Sequence, residues 1–186
     1  MKKIMFNDKY GLTRAVLEGR KTQTRRTFLK PGEETMLQGI TPEYLISVRS
    51  RYKVGETIAI AQSYKDIHAE VLREVFPCDL KKEFRQSKGY SNKMFVKAEM
   101  MPHAIRITNI RVERLQDISE EDCMKEGIWR DDNVGLEGTT YWYHGLANSS
   151  FRTPQEAYAS LIDHISGKGT WATNPYVFVY DFELIN

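Results

Sequence analysis

The segment Tyr176-Val177-Phe178-Val179-Tyr180 is apolar at odd and even positions alike. Successive side chains on a strand point to opposite faces, so a strand that is apolar on both parities has to be covered on both sides. The segment predicts a central strand and limits the chain to folds with packed layers around it. A second long strand, residues 104–115 (AIRITNIRVERL), carries a fault in its pattern. Ile105 and Ile107 share one parity, Ile110 and Val112 the other. A one-residue bulge near Thr108-Asn109 would return both pairs to the core face.

Shorter elements surround these two. Residues 2–6 read as a strand. Residues 10–18 read as a helix, with Asp8 as its cap and Leu12, Val16 and Leu17 as its apolar side, and Gly19 ends it. Residues 22–28 read as extended because they are rich in threonine. Thr41-Pro42-Glu43 opens a helix with Tyr44, Leu45 and Val48 on its apolar side. Val54-Gly55-Glu56 leads into a strand over 57–61. Ser119 caps a helix with Asp122 at its third position, and Gly127 stops it. Thr153-Pro154-Gln155-Glu156 has capping-box spacing with proline at the first helical position; Ala157, Leu161, Ile162 and Ile165 form its buried stripe, and Gly167 and Gly169 end it. Residues 62–100 carry mixed charge without clear periodicity and read as an insertion or lid. Together these elements predict one α+β domain over residues 1–186, built around a small, mostly β barrel with several short helices. Periodicity is equally compatible with an open sheet.

Composition narrows the function. The 186 residues are 41% hydrophobic and 28% charged, an ordinary folded composition. No apolar run approaches the roughly 18 residues of a membrane span. The start MKKIMFNDKY has no apolar region after its lysines, so no signal peptide is expected. Cys78 and Cys123 are far apart and form neither a metal set nor a disulfide framework, which predicts a cytoplasmic protein. His68, His103, His144 and His164 lack ligand spacing, so no metal and no cofactor are expected. Net charge is +2, yet residues 1–30 carry nine basic residues against Asp8 and Glu18, a local +7. Such asymmetry fits a polyanion partner.

The basic excess concentrates in Gly19-Arg20-Lys21-Thr22-Gln23-Thr24-Arg25-Arg26. Clustered cations raise the cost of protonating any one of them, and lysine yields before arginine. A lysine with a depressed pKa can deprotonate a threonine hydroxyl and turn it into a nucleophile. Geometry limits the idea: on a straight strand Lys21 and Thr24 point to opposite faces, so a bend is needed between them. Gly19 makes a corner there plausible. Elsewhere, Tyr141-Trp142-Tyr143-His144 could stack on a base or simply pack, and Trp171 reads as a core plug.

These residues resemble the ASCH family, which is similar in fold to PUA RNA-binding domains. Its signature is Gly-x-Lys-x-x-Glu-x-Arg after a short helix. Gly19, Lys21 and Arg26 match it, and Thr24 stands at the glutamate position. Small bacterial N4-acetylcytidine amidohydrolases of the family also carry threonine there. The resemblance therefore implies a lysine base at Lys21, a threonine nucleophile at Thr24 and a glutamate proton donor at Glu126, with Glu120 and Glu121 as alternates. Gly19, Arg20, Thr22, Arg25 and Arg26 would contribute to substrate binding. Residues 1–30, 54–56, 104–128 and 153–183 are similar to phage and prophage members. The insertion 62–103 and the loop 129–152 have no counterpart in the compact amidohydrolases. The implied function is action on RNA or a modified nucleoside, with amide hydrolysis as its sharpest form. The alternative is a non-catalytic RNA- or nucleic-acid-binding module.

Overall fold

The computed structural model describes residues 1–29, 37–67, 82, 85–132, 138–146 and 150–185. In chain order the elements are β1 (Lys2–Ile4), α1 (Leu12–Leu17), β2 (Gln23–Thr27), α2 (Pro42–Arg49), β3 (Thr57–Ile60) and β4 (Ala104–Arg114). They continue with α3 (Glu120–Lys125), β5 (Trp129–Asp131), β6 (Thr140–Trp142), α4 (Pro154–Ser166), α5 (Thr170–Thr173) and β7 (Tyr176–Ile185). The result is an α+β arrangement around a five-stranded mixed sheet of order β1-β3-β4-β7-β2, with β5 and β6 forming a separate hairpin. β1 and β3 are parallel, and the other pairs are antiparallel. Among the described residues the sheet does not close into a barrel, so the expected α+β class is found and the expected barrel is not.

The doubly apolar strand lies inside the sheet, between β4 and β2, with Val177, Phe178, Val179 and Tyr180 all buried. Its partner β4 shifts register between Ile107 and Asn109. That shift buries Ile105, Ile107 and Ile110 together despite their opposite parities. Three helices begin as the sequence predicts. Tyr44 N donates to Thr41 Oγ1 at 3.3 Å, and Asp122 N donates to Ser119 Oγ at 3.1 Å. At Thr153 and Glu156 both bonds of the capping box are present.

Other expectations are corrected. Asp8 does not cap α1: the N-cap is Gly11, in the left-handed region at φ 64°. The Asp8 carboxylate instead accepts from Thr13 Oγ1 at 2.5 Å, and its carbonyl accepts from Gly11 N at 3.0 Å. The loop 129–152 contains the β5–β6 hairpin, and Phe151 extends it by a bridge to Tyr141. Short apolar pairs interrupted by acids and glycines hide that hairpin from a periodicity search. Within the insertion 62–103, residues 68–81 and 83–84 lie outside the described residues, as do Cys78 and His68. Its later part forms three single 3-10 turns around Val96, Ala98 and Met101, which pack with Tyr64 and Ile67 into a second small core. Lys3 Nζ ties it to β1 by donating to the carbonyls of Met94 and Val96, both at 2.6 Å. No helix among the described residues is long and apolar enough to cross a membrane. Cys123 is buried, and burial pushes its thiol up to about 12, which makes it unreactive.

The capping box carries a measurable share of stability. Thr153→Ala removes the acceptor for Glu156 N and should cost about 1 kcal/mol in urea unfolding.

Candidate active site

Two helix ends build the site. At the end of α1, Gly19 takes φ 71°, Gly19 N donates to Val16 O and Arg20 N to Ala15 O, both at 2.9 Å. At the end of α3, Gly127 takes φ 104°, Gly127 N donates to Met124 O at 2.9 Å and Ile128 N to Cys123 O at 3.2 Å. Both are left-handed glycine terminations that satisfy carbonyls orphaned at a helix end. Gly127 has a further reason to be glycine, since a Cβ there would lie 3.3 Å from Leu12 Cδ2 and 3.8 Å from Lys21 Cδ. The two turns abut. Thr22 N donates to Lys125 O at 3.0 Å, and Lys21 Nζ donates to Glu126 O at 2.8 Å. An ammonium at the C-terminus of a helix is also favoured by the helix dipole.

Lys21 is 2% exposed, and its Nζ lies 2.5 Å from Glu126 Oε2. Burial lowers its pKa, and this outweighs the opposing attraction of Glu126. Because β2 begins only at Gln23, Lys21 sits in the turn before the strand and is released from strand alternation. Lys21, Thr24 and Glu126 consequently line one cleft of about 720 Å³. Lys21 and Glu126 touch directly. Among the described residues Thr24 Oγ1 makes no hydrogen bond with either. Glu126 is the C-cap of α3, whereas Glu120 and Glu121 lie in its exposed first turn, away from the cleft.

Behind the cleft lies a charge cluster. The Arg25 side chain is fully buried and donates to Glu113 Oε1 at 2.9 and 2.6 Å, to Asp122 Oδ2 at 3.0 Å and to Glu126 Oε1 at 3.2 Å. It also donates to Gln23 Oε1. Arg111 bridges Glu113, Asp122 and Asp181, and Gln23 Nε2 reaches Asp181 Oδ1 at 2.5 Å. Glu113, Asp122, Glu126 and Asp181 thus share Arg25, Arg111 and Lys21, and Lys125 also reaches Asp122 at 3.5 Å. Burial opposes the charge on Arg25, yet Glu126 and Glu113 leave its pKa raised. Burial likewise raises Asp122, but the Arg25 hydrogen bond and the Arg111 charge reverse this and hold it below the usual aspartate value.

The other expected binding residues are scattered. Gly19 forms the turn, and Thr22 spends its backbone on Lys125 O and on Phe182 N. Arg20 turns away from the cleft, and its guanidinium lies 3.8 Å from the centre of the Trp129 ring. Arg26 is exposed on the cleft wall and donates to Met5 O at 2.7 Å. Apolar surface comes from Phe6, Leu161, Ile162 and Ile165. Lys93, from the insertion, reaches the rim, donating to Phe6 O and pairing with Asp8 at 2.6 Å.

The sequence reading did not find Tyr158. It is buried in the cleft wall, and among the described residues its hydroxyl has no hydrogen-bond partner. Burial holds it well above the ordinary tyrosine value, so it stays protonated and offers a donor. Its signal was a polar tip on the apolar stripe of α4. Tyr143, by contrast, is core: its hydroxyl bonds Ser160 Oγ at 2.9 Å. Trp171 is half-buried and meets Tyr158 edge-on at 6.1 Å. Among the described residues no group of histidine, cysteine and acidic side chains is placed to hold a metal.

No family model, curated protein or solved structure matches the chain.

Arg25→Met would leave the buried Glu126 and the half-buried Glu113 and Asp122 short of a partner and should cost about 3–5 kcal/mol in denaturant unfolding, with Arg25→Lys intermediate. An unchanged midpoint in Arg25→Met would contradict the role of the cluster. Because the folded pKa of Asp122 lies below its ordinary 3.8, its contribution is complete above that pH and is lost as pH falls through the lower folded value. Asp122→Asn should therefore flatten the acid limb of the stability–pH curve.

Proposed function

We propose that this chain is an ASCH-type, PUA-like domain protein that acts on RNA or a modified nucleoside, and that its cleft hydrolyses the amide of an N4-acylated cytidine. One observation carries the reading: a buried lysine and a buried glutamate, 105 residues apart, meet at 2.5 Å in a cleft that Thr24 also lines. A purely structural ion pair would not need Thr24 on the same cleft wall, or beside it a Tyr158 hydroxyl with no hydrogen-bond partner among the described residues. The cleft volume suits a nucleoside-sized ligand.

The chemistry uses the proton shared by the pair. With that proton on Glu126, Lys21 is neutral and is the base, and Glu126 is the acid. Lys21 takes the Thr24 proton as Oγ1 bonds the acyl carbon. The oxyanion is stabilised by donors on the cleft wall, of which the Tyr158 hydroxyl is one. The C–N bond then breaks, and the departing exocyclic amine takes the Glu126 proton. Water attacks the threonine ester and gives a proton to the Glu126 carboxylate, Thr24 recovers its proton from Lys21 as the acid leaves, and the pair is restored.

The binding-module reading draws on the +7 segment. In the fold, however, Lys2, Arg14, Arg20, Lys21 and Arg25 are all paired with carboxylates. Those pairs leave less of that charge to track a phosphate backbone, so recognition would rest on the base rather than on phosphate contacts. A polyanion binder would lose affinity steeply with salt, whereas nucleoside turnover would change little.

Acetate release from N4-acetylcytidine tests the proposal. Thr24→Val keeps the shape and removes the nucleophile, and Lys21→Ala removes the base; each should lower kcat by about 100-fold or more with the circular dichroism spectrum retained. Full activity in either variant overturns the mechanism. Because the pair acts with a single proton between its members, wild-type activity should fall as pH rises through the lowered Lys21 pKa and that proton is lost. A flat profile contradicts the lysine base.

A further inference from the structure

The segments that build the cleft also line a second concavity. Lys21 turns into the cleft, and its neighbour Arg20 turns the other way onto Trp129. Glu126 faces the cleft, whereas Gly127 and Trp129 line the second space. Asp8 lines both. This groove of about 470 Å³ has a strongly aromatic wall. Trp129 and Trp142 sit directly opposite each other on β5 and β6, and their rings stack at 5.1 Å and 7°. With the Arg20 guanidinium at 3.8 Å they form a ladder of planar groups, and His144 lies beside it. The Trp pair is half-buried, so the groove leaves part of an indole surface open.

A second, independent observation points to a ligand. Gln62 lines the same groove, and its Oε1 is buried with no hydrogen-bond partner among the described residues. An unpaired buried acceptor is costly unless something donates to it. The acids of the groove are already engaged: Glu18 holds Arg14 and Arg20, Asp66 holds Ser63, and Asp8 holds Thr13 and Lys93. The site thus offers stacking and one amide, with little free charge.

We infer that this groove binds a second unpaired nucleobase, from the nucleotide next to the one held in the cleft, so that the ligand is a single-stranded oligonucleotide. Planar faces recognise a base without reading its phosphate, and the Gln62 amide, turned slightly, accepts from an exocyclic amino group. The inference rests on the nucleoside reading of the cleft only for what occupies the neighbouring site.

Titration of tryptophan fluorescence with a tetranucleotide of uridine and cytidine, and separately with free cytidine, tests it. The tetranucleotide should quench wild-type fluorescence and bind at least about 10-fold more weakly to Trp142→Ala. Trp142→Phe should keep most of the affinity, and Gln62→Ala should lose several-fold. The last two variants serve if Trp142→Ala fails to fold, since neither opens the hairpin core. Free cytidine should bind more weakly and ignore all three changes. Equal tetranucleotide affinity in wild type and folded Trp142→Ala, or, should that variant not fold, in Gln62→Ala, overturns the groove. So does cytidine binding as tightly as the tetranucleotide. The two readings fail separately. Binding that is sensitive to Trp142 without acetate release removes the amidohydrolase and keeps the groove. Acetate release indifferent to Trp142, with no preference for oligonucleotide, does the reverse.

Discussion

The junction of two helix C-termini is the constraint on which the site depends. Each helix ends on a left-handed glycine, and the residues just past α1 donate to carbonyls released at the end of α3. A lysine placed there answers two demands at once. It satisfies a carbonyl that the helix cannot, and it opposes the negative end of the α3 dipole. Burying that ammonium is expensive, and Glu126, as the C-cap itself, supplies the counter-charge at the shortest reach. The same geometry that makes the pair a good structural clamp also holds a nitrogen and a carboxylate oxygen at hydrogen-bond distance in the cleft, the arrangement that general acid–base chemistry uses.

The charge cluster behind the pair explains why Glu126 is held in one orientation. Arg25 presents a rigid fork: Nε and Nη2 share Glu113 on β4, Nη2 also reaches Asp122 on α3, and Nη1 meets Glu126 at the α3 cap. Buried ion clusters are poor sources of stability compared with apolar packing, but they specify geometry, because every member has few alternatives. Here the cluster joins β2, β4, β7 and α3 around the face of the sheet nearest the cleft. A site on such a scaffold gains precision from strands and a helix end rather than from mobile loops. Two further segments act around this scaffold: Lys93 reaches the cleft rim, and β5 with β6 supplies the aromatic wall of the groove.

Much of the architecture was legible in the sequence, and the reason is local. Caps at Thr41, Ser119 and Thr153, the glycine stops, the parity fault near Asn109 and the doubly covered strand are all written within a few residues of where they act. The pairing of β5 with β6 was not legible, because each strand is three residues long, too short to show a period, and the stacked Trp129–Trp142 pair forms only across the strands. Asp8 misled for a related reason: its side chain served a turn with Thr13 instead of a helix start.

For the site, the sequence by itself determined which residues could act: a lysine and a threonine after a glycine stop, and a glutamate beside another. It could not say where their side chains go. Arg20, Lys21, Arg25 and Arg26 look alike as a basic run, yet one stacks on Trp129, one enters the cleft, one is sunk among carboxylates and one reaches the rim. Their environments differ because strand register and the abutting helix ends set them, and those are contacts between residues far apart in the chain. Tyr158, Glu113 and Asp181 entered the site for the same reason. Only tertiary structure brings such groups within hydrogen-bond reach or leaves one of them without a partner.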